Sequence, residues 1–210
     1  MAAHCQSSRK VVSNIPSPDE IDLARAQEYA LLSSLLLHSP DAAFLARLSL
    51  LPGDRSELGQ AHAALAQGAS RTSAESVVRE HFTLFSGLGR GELLPYASYY
   101  LTGFVQGRPL ADVRQTFARL GIERTEGQSE PEDHAAVLLE VMAGLISGSL
   151  GASEGADREF FAAHLGSWIA RFFLDLERSS SAKFYASVGA LGRTFIEIER
   201  RGFELLQADA

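Results

Sequence analysis

Apolar residues recur along this chain at three- and four-residue intervals with polar residues between them, the pattern of amphipathic helices. The first such stretch runs to about His38, with Leu23, Ala26, Ala30, Leu31, Ser34 and Leu37 on one side and Asp22, Arg25 and Glu28 on the other. Ser17-Pro18-Asp19-Glu20 opens it, Ser17 standing as N-cap, Pro18 at the first helical position and Glu20 at the capping-box site. Ser39-Pro40-Asp41 repeats the signal for a short helix through about Leu48, which Pro52-Gly53 ends. The alanine-rich stretch 54–67 predicts a weakly apolar, peripheral helix. Thr72-Ser73-Ala74-Glu75 reads as a further capping box, for a helix carrying Val77, Val78, His81, Phe82 and Phe85 that the glycines 87, 89 and 91 close.

The texture then changes. Pro95-Tyr96-Ala97-Ser98-Tyr99-Tyr100 places three of the five tyrosines within five positions. Pro109 starts the next helix, with Leu110, Val113, Phe117 and Leu120 inward and a stop at Gly121. A charged, glycine-containing loop at 122–130 is the predicted hinge between two groups of helices. Beyond it Glu130-Pro131-Glu132-Asp133-His134 is expected to begin a helix, and Val137, Leu138, Val141, Met142 and Leu145 mark its apolar face. Residues 157–177 read as a buried aromatic helix that Gly166 can interrupt, and 182–206 as the last one. The expected fold is all-α: about 8 to 10 helices in two sub-bundles over 17–210, behind a flexible leader at 1–16.

Composition supports this class and narrows the partners. The chain has 30 alanines and 29 leucines against 9 valines, 7 isoleucines and 6 threonines, a bias towards helix over strand. A net charge of -7 disfavours nucleic acid and anionic lipid, and favours cationic or apolar partners. The single Cys5 allows no internal disulfide, which suits a reducing compartment. Residues 1–16 hold no apolar run of the length a signal peptide needs, and no apolar run of the chain reaches the length of a membrane span, so a cytoplasmic protein without membrane insertion is the expectation.

Two clusters carry candidate chemistry. On a helix Glu130 and His134 lie four apart on one face and offer an oxygen and a nitrogen donor to a metal, with a third ligand from elsewhere, for example His81 or His164. The rival function is a metal-dependent hydrolase using Glu130, Asp133 and His134. The plainer reading is that acidic residues favour the first turn of a helix, where the macrodipole is positive. Tyr96, Tyr99 and Tyr100 either line a groove for an apolar peptide or pack a helix start against the core. Gly87-Leu88-Gly89-Arg90-Gly91 lacks the ending of a phosphate-binding loop, and Ser98 lacks the context of a hydrolase nucleophile.

Glu130-Pro131-Glu132-Asp133-His134 with Glu140 stands in order with Phe82 to Gly87, Pro95 to Leu101, Phe160, His164-Leu165, Trp168 and Phe184-Tyr185. This order resembles the TorD/DmsD family of redox-enzyme maturation chaperones over roughly residues 20–200. The resemblance implies an all-helical, cytoplasmic, non-enzymatic protein without a cofactor of its own. It implies binding of a molybdoenzyme precursor, twin-arginine signal peptide included, until cofactor is inserted and export is safe. It implicates Asp133 and His134, and the segment Pro95, Tyr96, Ser98, Tyr99 and Tyr100, in peptide binding, with Glu130 adding charge. Formate dehydrogenase is the favoured client, because 121–140 and 192–199 look like members associated with it. The expected state is a monomer, or a homodimer that exchanges segments across the hinge.

Overall fold

The computed structural model describes residues 19–88, 90–123 and 130–208, side chains of 207 and 208 aside. The leader 1–16 and residues 124–129 of the hinge lie outside them. Among the described residues the chain forms ten α-helices: α1 (Glu20–Leu37), α2 (Ala42–Leu48), α3 (Glu57–Ser70), α4 (Ala74–His81), α5 (Ala97–Thr102), α6 (Arg108–Leu120), α7 (Ala135–Ile146), α8 (Ala156–His164), α9 (Ile169–Arg178) and α10 (Phe184–Ala208). A π-helical turn, Phe82–Ser86, extends α4. No described helix is long and apolar enough to cross a membrane.

The helix starts follow the predicted signals with a shift of cap. Asp19, not Ser17, caps α1, accepting from the Asp22 N–H at 2.8 Å, and Asp41 caps α2 in the same way from Phe44 at 2.7 Å. In both Ser-Pro-Asp triplets the aspartate lies next to the first helical residue, where its carboxylate reaches the N3 amide and meets the positive end of the dipole. Ser73, one residue after the predicted Thr72, caps α4.

Helices from before and after the hinge share one core: α1 packs along α7, and α10 packs along both α9 and α3. The alanine-rich α3 is therefore not peripheral, and Leu65, Ala61 and Ala69 are buried in it. The inward side of α1 also differs from the expected one. Tyr29, Leu32, Ser33, Leu35 and Leu36 are buried, whereas Leu23 is exposed. Apolar residues wind almost fully round α1, so the choice of face falls to its neighbour; Ser33 donates to the Ala136 carbonyl of α7 at 2.8 Å. Arg25 fastens the other end of α1, bonding Glu199 of α10, Asp157 of α8 and Asp22.

The α9–α10 contact depends on two glycines. A Cβ on Gly189 would stand 2.4 Å from the Glu177 amide nitrogen, and one on Gly192 would stand 2.3 Å from the Phe173 ring. The helix backbones meet too closely for any side chain at 189, and backbone cannot rotate aside as a side chain can. Gly189→Ala is expected to destabilise the protein by about 1 to 3 kcal/mol despite the better helix propensity of alanine. An unchanged urea midpoint would contradict the close approach.

Candidate functional site

The segment 130–134 does not begin a helix. It runs as turn and bridge, and α7 starts at Ala135, so Glu130 and His134 do not share a helical face. Pro131 lacks the N–H that an interior helical position would donate, and the local backbone pairs elsewhere. Tyr96 and His134 form an isolated antiparallel bridge: the Ala97 N–H donates to the Asp133 carbonyl at 2.9 Å, and the Ala135 N–H to the Pro95 carbonyl at 2.7 Å. This bridge joins the start of α5 to the start of α7.

Asp133 and His134 complete the junction from within. The Asp133 carboxylate, only 1% exposed, accepts from the Ser98 N–H at 3.0 Å and so caps α5 from another part of the chain. His134 caps α7, its Nδ1 accepting from the Ala136 N–H at 3.1 Å, which requires a neutral ring with the proton on Nε2. Burial pushes the His134 pKa down to about 4, against the opposing pull of Glu130 and Asp133. Asp133 and His134 therefore hold the connection in place, and neither presents an accessible charge.

Tyr96 stands at the rim of this junction. Its ring meets the His134 ring edge-on at 5.2 Å, and its hydroxyl donates to Glu130 at 2.7 Å. Burial, with Glu130 beside it, raises the Tyr96 pKa, so the phenol remains a donor. Pro95 and Ser98 are buried; the Ser98 hydroxyl accepts from the Gln106 N–H at 2.9 Å, and its carbonyl accepts from Thr102 at 2.7 Å. Through these bonds Ser98 holds the loop 103–107, where Gly103, Gln106 and Gly107 all have positive φ. The loop carries Phe104, 77% exposed, and Val105, 50% exposed, beside the half-exposed Leu101. An apolar knuckle thus projects from α5 on a fixed base.

Tyr99 and Tyr100 divide the two readings made of them. Tyr100 lies on the core, its ring 5.5 Å from Trp168 and 5.9 Å from Phe172, with its hydroxyl donating to Asp175 at 2.9 Å. Tyr99 is half-buried beside the glycine-rich turn. Guanidinium groups cover both rings, Arg90 at 5.4 Å over Tyr99 and Arg171 at 5.0 Å over Tyr100. Arg90 also donates to the Tyr99 hydroxyl, and Arg171 to the Tyr100 carbonyl.

The proposed metal donors do not converge: among the described residues no three His, Cys, Asp or Glu groups lie together in a way that could hold an ion. His81 bonds the Leu36 carbonyl at 3.2 Å, and His164 bonds Thr116 at 2.9 Å. Sequence reasoning missed the residues that reach the site from a distance. Asp175, Arg171 and Arg114, which pairs with Glu132 at 3.0 Å, stand 75, 71 and 18 positions from their partners. No local pattern marks such pairs; only packing brings them together.

Comparison with known proteins accords with this architecture. The family model described as nitrate reductase delta subunit matches residues 51–174. Chaperone protein TorD of Vibrio cholerae is 28% identical over 134 residues, covering 59% of this chain and 61% of that protein. TorD of Aliivibrio salmonicida is 27% identical over 198 residues, covering 83% and 92%. TorD of Shewanella loihica is 26% identical over 211 residues, covering 89% and 97%. The Vibrio cholerae alignment thus spans about three fifths of that relative's length. The crystal structure of a redox enzyme maturation protein from Archaeoglobus fulgidus superposes with a TM-score of 0.53 at 20% identity, covering 82% of this chain and 93% of that one, which supports the all-α fold. Since the family model spans more than half the chain, and sequence relatives named TorD extend the match over most of it, this protein belongs to the family of nitrate reductase delta subunits and TorD-type chaperones.

Proposed function

We propose that this protein is a cytoplasmic, non-enzymatic chaperone that holds a molybdoenzyme precursor, with its twin-arginine signal peptide, until cofactor insertion is complete. Membership of a family with chaperones named TorD supports the class of activity. The observation that carries the reading further is the apolar knuckle of Leu101, Phe104 and Val105 on its base at Ser98 and Asp133. A contiguous exposed apolar tip in a chain of net charge -7 suits transient contact with an incompletely folded client. In this reading Tyr96, Tyr99 and Glu130 border the client's path. Asp133, His134, Pro95, Ser98 and Tyr100 set the position of the border from beneath.

Formate dehydrogenase is the client we favour. The test is capture: the tagged full-length chain is purified from cells making molybdoenzymes, and bound proteins are identified by mass spectrometry. Recovery of a molybdoenzyme precursor with its signal peptide attached is expected; recovery of mature enzymes alone would sink the reading. Phe104→Ser is expected to leave the urea midpoint unchanged, within about 0.5 kcal/mol for so exposed a side chain, and to reduce precursor recovery severalfold.

A further inference from the structure

The segment 130–134 borders two surfaces of opposite character. On the tyrosine side Arg90 and Arg171 already lie over the rings of Tyr99 and Tyr100. An arginine arriving there meets like charge and covered rings. On the other side Glu132 turns towards α6, and a groove of about 430 Å³ opens between α6 and α7. Phe117, Val137 and Val141 give it an apolar floor, and Glu123 and Glu140 stand on its edge. Among the described residues that line it Arg114 is the sole cation, and Glu132 already pairs with it. Glu123 and Glu140 are exposed, and among the described residues neither has an ion-pair partner.

We propose that this groove receives the basic part of the client segment, adjacent arginines followed by apolar residues, while the knuckle on α5 meets other apolar client surface. The inference rests on the chaperone reading and deepens it by naming the surface that recognises charge. The Glu123 and Glu140 carboxylates, exposed and without an ion-pair partner among the described residues, suit an incoming positive charge, and a long arginine stem can lie along the apolar floor with its head at the edge. Guanidinium–carboxylate contacts there are charge-assisted yet solvent-accessible, so binding weakens as salt rises. Glu132 links this surface to the junction, because the segment whose Asp133 and His134 cap α5 and α7 also places its carboxylate beside Arg114 of α6.

The test uses the full chain and two fluorescent peptides, one with two adjacent arginines before an apolar stretch and one with both arginines replaced by glutamine. Wild type is expected to bind the arginine peptide more tightly. Glu123→Lys combined with Glu140→Lys should weaken the arginine peptide at least tenfold and change the glutamine peptide less than twofold. Both glutamates are exposed, so the urea midpoint should hold, and an unchanged midpoint is the control for folding. Ala118→Trp, which fills the groove from its exposed wall, should weaken both peptides at least fivefold. If the charge-reversed variant binds the arginine peptide within twofold of wild type, or loses both peptides equally, the groove assignment is overturned while the chaperone reading stands. If wild type binds neither peptide, both fall.

Discussion

Replacing Glu80 by alanine is expected to lower the unfolding free energy by about 3 kcal/mol, although Glu80 lies far in sequence from the helix it stabilises. Glu80 is on α4, nearly buried, and its carboxylate accepts from three consecutive backbone amides at the start of α10: Lys183 at 2.7 Å, Phe184 at 3.2 Å and Tyr185 at 2.7 Å. These are amides that a helix start leaves without an intrahelical acceptor, and burial denies at least two of them water. A side chain of α4 therefore takes the place of a local N-cap for the longest helix among the described residues. Alanine removes the acceptor and the negative charge at the positive end of the dipole together. Glu80→Gln keeps one carbonyl oxygen and should cost about half as much. Urea unfolding with an unchanged m-value measures both variants; a Glu80→Ala midpoint equal to wild type would show that water or a neighbour replaces the carboxylate.

Acid should destabilise the protein through His134 well before its carboxylates protonate. The folded ring has a pKa pushed down to about 4 by burial, while in the unfolded chain it returns to about 6.5. Between these values the unfolded state binds a proton that the folded state refuses, so stability falls as pH falls. The loss from this one group totals about 3 kcal/mol, and is complete near pH 4. Above pH 7 the group contributes no slope. The geometry gives the same sign independently, because a protonated Nδ1 could not accept from the Ala136 N–H. His134→Asn, whose amide oxygen can cap α7 without titrating, should flatten that part of the profile. Urea unfolding at intervals from pH 4.5 to 7.5 reads the slope, and equal slopes in wild type and variant would refute the assignment.

His62 has the opposite sign. The Glu28 carboxylate at 3.0 Å raises its pKa against partial burial. Its stabilisation is present below about pH 6.5 and is lost as pH rises through the raised value. Glu28→Gln should therefore remove a fall in stability with rising pH above about 6.5, and leave the acid loss below that value, which belongs to His134, unchanged in slope.

The site was only partly legible in the sequence. Asp133 and His134 stand out as a pair, yet their neighbours Glu130 and Glu132 suggest a helix start with one shared charged face. Pro131 and the bridge to Tyr96 delay the helix to Ala135, which turns Glu130 towards Tyr96 and Glu132 towards Arg114. The tyrosine cluster was visible as a cluster. Its division into Tyr96 at a rim, Tyr99 under Arg90 and Tyr100 on Trp168 was not, because each partner comes from a different part of the chain.

Periodicity, capping signals and the excess of alanine and leucine sufficed for the all-α class and for most helix boundaries to within a few residues, because a helix is built from interactions three and four residues apart. The proline start at Pro109 and the glycine stop at Gly121 are local in the same sense. What tertiary structure alone decided is which face of each helix is inward and which charges remain for a partner. On α1 apolar residues encircle the helix, and α7 selected the buried side. The acidity that sequence concentrated at 130–133 was separated by folding into the buried carboxylate of Asp133 and the groove-facing one of Glu132, since a buried charge must find its hydrogen-bond donor wherever the fold supplies one.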